Sequence, residues 1–255
     1  MEDQLMRTGQ HRKFTVDLDV QRIEEDLQEG RGLVGGDLER IPEGRRGLRP
    51  HLDLDTPVEI RRFPETEAEN TDNEAFLQHR PIEIEIGFGG GDFIFQRAIS
   101  QPDIHFLGFE IRRVFCTSLA RRIHKAKLSN LRIIYEDVRQ SLPDLLPDHS
   151  IRRCSIFFPD PWWKRRHIKR RILIPSFLDL ILRKLQPNGI LQIKTDVMPY
   201  AEQIRELFAL DSRFIKDDGS LTEVLADEPH TERETFCLAH GIDYAEFRFI
   251  AKPNP

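Results

Sequence analysis

Residues 82–91 read IEIEIGFGGG, a β-branched run (Ile82–Ile86) that ends in a glycine cluster. A short β-branched run closed by glycine reads as a strand. The glycines read as a sharp turn whose main-chain atoms stay open to a ligand. Working outward, strand and helix signals alternate. Asp92–Ile99 reads as a helix, His105–Phe109 as a strand, and Arg112–Leu128 as a helix with Val114, Leu119 and Ile123 on a roughly 3.6-residue rhythm. Leu131–Tyr135 and Cys154–Phe158 read as strands, and Ile172–Leu185 as a long amphipathic helix stopped by Pro187 and Gly189. A strand at Ile190–Ile193, a helix at Tyr200–Leu210 and closing strands at Phe214 and Tyr244–Ile250 complete the pattern. Short apolar strands alternating with helices predict an α/β fold, a doubly wound, mostly parallel sheet covered on both faces. In such sheets the ligand lies outside the carboxyl ends of the strands, so the residues that follow each strand decide the chemistry.

Before residue 81 the pattern is different. Gly30, Gly32, Gly35, Gly36, Pro42, Gly44, Gly47 and Pro50 crowd a stretch of mixed charge, and 65–74 reads ETEAENTDNE. Segment 14–29 has the makings of a short helix. Residues 1–55 are expected to be a flexible polar extension, 56–80 an approach segment, and 81–255 the folded domain. Charge divides the same way. Residues 1–80 hold 12 Lys/Arg against 19 Asp/Glu, whereas 81–255 hold 26 against 24. Within the second part, 111–129 and 162–171 each carry six Lys/Arg and no acid. Local patches of that kind, not the overall charge of −5, decide whether a nucleic acid binds.

Other classes are disfavoured. The apolar stretch ILIPSFLDLIL is broken by Pro175, Ser176 and Asp179, well short of the ~20 apolar residues that span a bilayer. MEDQLMRTGQHRKF has no apolar segment of a secretory signal. Cys116, Cys154 and Cys237 are far apart and in no metal-like spacing. A reduced, cytoplasmic protein without membrane or metal partners is expected; whether it is a monomer or a homodimer is not legible.

The strand ends point to an adenosine pocket. Gly87, Gly89 and Gly91 follow Glu85, a carboxylate that suits an ammonium group and would repel a pyrophosphate. A dinucleotide fingerprint would need Gly or Ala where Asp92 stands. Glu110, after the second strand, is placed to accept from both hydroxyls of a ribose. Asp137, after the third, suits an adenine amino group, although a lone acid there is more often a helix cap. Together the three acids describe S-adenosylmethionine. The fourth strand leads into FFPDPWWKRRHIKRR (157–171). Pro159 and Pro161 stiffen the loop around Asp160, which is placed to orient a substrate. Trp162 and Trp163 are candidates for stacking on bases; Lys164, Arg165, Arg166, Lys169, Arg170 and Arg171 are candidates for phosphate contacts. Asp196 ends the fifth strand, and Thr231–Glu234 (TERE) read alone is a helix capping box.

These residues resemble the bacterial tRNA (guanine-N7)-methyltransferases from about Pro81 to Ile250. FFPDPWWKRRHIKRRI is similar to that family's most specific loop, and Thr195–Asp196 and the T-x-x-E of Thr231–Glu234, followed by Gly241, match as well. The resemblance implies a seven-stranded Rossmann-like class I methyltransferase sheet. It implies S-adenosylmethionine held by Glu85, Glu110, Asp137 and Asp160, with Asp160 also catalytic. It implies tRNA held by Lys164, Asp196, Thr231, Glu232, Arg233 and Glu234, and methylation of a variable-loop guanine at position 46. The chain departs from the family in a longer, more acidic N-terminal part, in Arg233 where an aromatic or aliphatic residue is common, and in Thr235 where arginine is common.

Two other readings compete. An adenine- or cytosine-amino methyltransferase uses a D/N-P-P-Y/W loop, in which the acid or amide precedes two prolines; here Asp160 lies between them. A tRNA-binding protein with an idle cofactor pocket is the second, and measurable turnover would exclude it. A nicotinamide oxidoreductase fits worse because of Asp92.

Overall fold

The computed structural model describes residues 80–162, 170–217, 219 and 228–252. The expected extension 1–55, its helix at 14–29 and the approach segment up to residue 79 lie outside the described residues, as do Trp163, Lys164, Arg165, Arg166 and Lys169.

The described chain runs β1 (Ile82–Ile86), α1 (Asp92–Ser100), β2 (His105–Phe109), α2 (Arg113–Ala126), β3 (Leu131–Ile134), α3 (Val138–Leu145), β4 (Ile151–Phe157), α4 (Pro175–Lys184), β5 (Leu185–Thr195), α5 (Met198–Ala209), β6 (Phe214–Lys216), α6 (Glu232–His240) and β7 (Ala245–Ala251). The strands form one seven-stranded sheet in the order β3-β2-β1-β4-β5-β7-β6. β1 pairs in parallel with β2 and β4, and β7 lies antiparallel between β5 and β6. Every residue of β1 and β2 is buried, as helices on both faces demand, and in β1 the burial extends to Glu83 and Glu85, which alternate with its three isoleucines. The chain reverses its direction of travel across the sheet between β1 and β4. That switch point opens a crevice between the loops leaving these two strands.

Sequence and structure differ in a few places. α3 has no counterpart in the sequence reading, because Pro143 stands inside it and proline normally argues against helix. Asp137 caps it by accepting from the Arg139 N–H at 3.0 Å. α4 begins at Pro175 rather than Ile172; proline at the first helical position has no N–H to leave unsatisfied. β5 begins at Leu185 and runs through Pro187 and Gly189, which the sequence assigns to a helix stop. The buried Lys184 Nζ donates to the Pro143 and Leu146 carbonyls (2.8 and 2.5 Å), tying the end of α4 to the end of α3.

Candidate active site

The β1 turn is built by backbone conformation. Gly87, Gly89 and Gly91 have φ of 71°, 56° and 77°, a left-handed region that costs other residues about 1–2 kcal/mol each. The Gly87 N–H donates to Phe109 O at 2.8 Å and the Gly89 N–H to Glu110 Oε2 at 3.1 Å, so the turn is stitched to the end of β2. Gly91 caps α1 and sits against α2: a Cβ there would lie 2.6 Å from Leu119 Cδ2, whereas one on Gly87 would meet nothing. Arg122 of α2 donates to Gly90 O at 2.9 Å and pairs with Asp92 at 2.7 Å, which holds the loop from behind.

Glu85 lies beneath this turn, 4% exposed, and its Oε2 has no hydrogen-bond partner. Burial pushes its carboxyl up to about 8, against the pull of a backbone hydrogen bond from Ile94 and the charge of Arg153. An orphaned acidic oxygen beside a turn with open space is what a cationic ligand group would complete.

The next two acids are already engaged. Glu110 accepts from the N–H groups of Ile111 (2.9 Å) and Arg112 (3.0 Å), and the Arg112 guanidinium grips both of its oxygens at 3.0 and 3.1 Å. Asp137 caps α3 and takes the Arg139 guanidinium at 3.0 and 2.5 Å. Each acid is thus clasped by the arginine two residues on. A ribose hydroxyl or an adenine amino group would share these carboxylates with arginines that the sequence reading did not place in the site.

Asp160 is exposed on the loop after β4. Phe158 and Trp162 on either side of it have φ of 50° and 41°, strained for bulky side chains and held only by surrounding contacts. The Phe158 N–H donates to Lys194 O at 2.7 Å, and Phe158 packs on Tyr244 in an edge contact of 5.9 Å. The Arg170 guanidinium lies 5.1 Å over the Trp162 ring. Arg171 corrects the sequence expectation of a phosphate contact. It is 2% exposed, and it donates inward to Pro161 O (2.7 Å) and to Gln203 Oε1 (2.9 Å).

Beyond β5, Asp196 pairs with Arg233 of α6; the two side chains are 5% and 13% exposed. Thr231 forms the capping box expected of TERE: its Oγ1 accepts from Glu234 N–H at 3.0 Å, and its own N–H donates back to Glu234 Oε2. The Glu234 carboxylate also accepts from Lys194 Nζ (2.8 Å to each oxygen) and the Tyr244 hydroxyl (2.8 Å), with His230 at 3.1 Å. It is 3% exposed and fully committed. Glu232 is half-buried in the first turn of α6. Lys194 and Tyr244 were missed by the sequence reading. Lys194 comes into view only through the register of the sheet, which puts it with Gln192 on the face of Glu85, two residues apart along β5.

The switch-point crevice, the glycine turn and the strand-end acids define a Rossmann-like, S-adenosylmethionine-dependent class I methyltransferase. The solved antibiotic-resistance methyltransferase Kmr has the same fold, with a TM-score of 0.50 at 20% identity over 73% of this chain and 94% of that one. The family model described as "Putative methyltransferase" matches residues 79–246. A tRNA (guanine-N(7)-)-methyltransferase of Alcanivorax borkumensis is 42% identical over 66% of this chain and 72% of its own length. One of Stutzerimonas stutzeri is 36% identical over 83% and 88%. The chain belongs to the tRNA (guanine-N7)-methyltransferase family. Among the described residues no helix is long and apolar enough to cross a membrane, and no cluster of His, Cys, Asp or Glu is placed to hold a metal ion.

Proposed function

We propose that this chain transfers the methyl group of S-adenosylmethionine to N7 of the variable-loop guanine, position 46, of tRNA, in the cytoplasm. What carries this reading is the orphaned Glu85 oxygen near the end of β1 together with Asp160 on the loop that leaves the neighbouring strand β4, in a chain of this family. The described residues suit the cofactor: Glu85 for its ammonium, Gly87 and Gly89 for close main-chain approach, Glu110 for its ribose and Asp137 for its adenine. S-adenosylmethionine supplies a methyl group on an electrophilic sulfonium.

Guanine N7 carries an in-plane lone pair and no proton, so the protein needs no strong general base there. Its task is to hold N7 in line and exclude water. Positive charge arrives on the purine as the bond forms, and the Asp160 carboxylate stabilises it. Asp196, braced by Arg233, accepts from guanine N1–H and the exocyclic amino group. Glu234 acts one step back, by fixing the α6 terminus with Thr231. Lys164, Glu232 and the cations of 165–170 hold the RNA. Unstacking the guanine costs a few kcal/mol, approximately, which phosphate contacts offset.

Methyl transfer from labelled S-adenosylmethionine to unmodified tRNA, read by nucleoside mass spectrometry, tests this. The expected product is 7-methylguanosine, lost when the variable-loop guanine is replaced. A methylated adenine or cytosine would promote the amino-methyltransferase reading. No product despite tight binding of cofactor and tRNA would leave an idle pocket.

A further inference from the structure

Asp160 stands on a loop that is poorly equipped to hold itself. Pro159 and Pro161 contribute no N–H donors, and Phe158 and Trp162 are both left-handed. Strain of this kind persists only where the surroundings over-determine it. On the strand side the constraint is the Phe158 N–H bond to Lys194 O at 2.7 Å. On the far side it is Arg171.

We propose that Arg171 is the positioning residue for Asp160, a buried brace that fixes the Asp160 loop against α5 and so sets its spacing from Asp196. This rests on the reading of Asp160 as the acid that faces the reacting base. Arg171 is 2% exposed, too deep to neutralise an RNA phosphate at the surface. Its Nε donates to Pro161 O at 2.7 Å, one residue past Asp160, and its Nη1 to Gln203 Oε1 at 2.9 Å. The guanidinium lies 5.5 Å over the Tyr200 ring. Tyr200 and Gln203 share one face of α5, three residues apart, and α5 starts two residues after Asp196. Tyr200 is buried close enough to Asp160 for that carboxylate's charge to oppose its ionisation. One planar guanidinium therefore ties the loop that follows β4 to α5, the helix that follows β5. A lysine ammonium, lacking the rigid fork, would not serve both acceptors in the same geometry.

The experiment compares wild type with Arg171→Ala, Arg171→Lys and Gln203→Leu. Steady-state methylation is read together with acrylamide quenching of tryptophan fluorescence. Both tryptophans of the chain, Trp162 and Trp163, follow Asp160 by two and three residues in sequence, so the fluorescence reports on this part of the chain. Loss of the brace is expected to lower kcat by roughly 10- to 100-fold in Arg171→Ala. KM for tRNA and its salt dependence should stay unchanged, and quenching should rise. Arg171→Lys and Gln203→Leu should fall in the same direction by less, and free guanidinium ion should restore part of the Arg171→Ala activity. A raised KM for tRNA with shallower salt dependence and unchanged kcat would make Arg171 a phosphate contact and overturn the proposal. So would unchanged quenching with unchanged kcat per folded molecule. If Arg171→Ala does not fold, Arg171→Lys and Gln203→Leu carry the same two readouts. A wild type that forms no 7-methylguanosine would sink the proposed function instead, while the quenching comparison would still decide whether Arg171 holds the loop.

Discussion

A carboxyl raised to about 8 is mostly protonated at pH 7, so the proton on Glu85 takes part in whatever the residue binds. Pairing with an ammonium group favours the charged form. Cofactor binding should therefore expel a proton from Glu85, and affinity should improve as pH rises towards 8 and level off above it. Isothermal titration of S-adenosylhomocysteine in buffers of different ionisation enthalpy measures that proton directly. Glu85→Gln should bind more weakly and lose the pH dependence between 6 and 8; the same dependence in the variant would place the titrating group elsewhere. The stability effect has the opposite sign. The folded-state value lies above the ordinary 4.5, so the folded protein binds the extra proton between about 4.5 and 8. Stability from this group is complete below that window and is lost as pH rises through it. Glu85→Gln, neutral throughout, should unfold at a higher temperature than wild type at pH 8.5 and show little gain at pH 5.

α6 is held to the end of β5 by the buried Lys194–Glu234 and Arg233–Asp196 ion pairs and the contacts around them. Burial acts to raise the Glu234 carboxyl, but the hydrogen bonds and charge of Lys194, with help from Tyr244 and His230, win and hold it below its ordinary value. Its contribution is present at neutral pH and is lost as pH falls through that lowered value. Glu234→Ala would strand the Lys194 ammonium, 4% exposed, without its partner. A loss of about 3–5 kcal/mol in urea unfolding is expected, and the double change Lys194→Met with Glu234→Ala should recover part of it. A single-variant loss below about 1 kcal/mol would mean that water reaches the pair. The sequence displayed half of this element. Thr231 and Glu234 announce a capping box by spacing alone, whereas Lys194 is 40 positions away in the chain and becomes a partner only through the sheet. The same limit hid Arg171. A run of cations reads as uniformly exposed, and only the fold shows that its last member turns inward. The strand ends were legible because each closes a short apolar run, and α3 was not because Pro143 sits within its eight residues.

At the scale of the whole molecule, the basic stretch 111–129 cannot act as one surface. Arg112 is turned onto Glu110 and Arg122 onto Gly90 and Asp92, so both are engaged around the glycine turn. Arg113, Lys125 and Lys127 are exposed, at opposite ends of a helix of 14 residues. At 1.5 Å per residue those ends are separated by about 20 Å, more than twice the ~8 Å Debye length at physiological salt. Arg113 starts α2 at the carboxyl edge of β2, where the crevice opens; Lys127 ends it at the opposite edge of the sheet. RNA presented to the crevice should feel the first and hardly the second. Arg113→Glu is therefore expected to weaken tRNA binding several-fold and to reduce the slope of log K against log salt by about 0.7–0.9. Lys127→Glu should leave both within error, and neither change should alter cofactor affinity. Equal effects at the two ends would mean that the RNA lies along the whole of α2, and the crevice edge would no longer set how the substrate approaches.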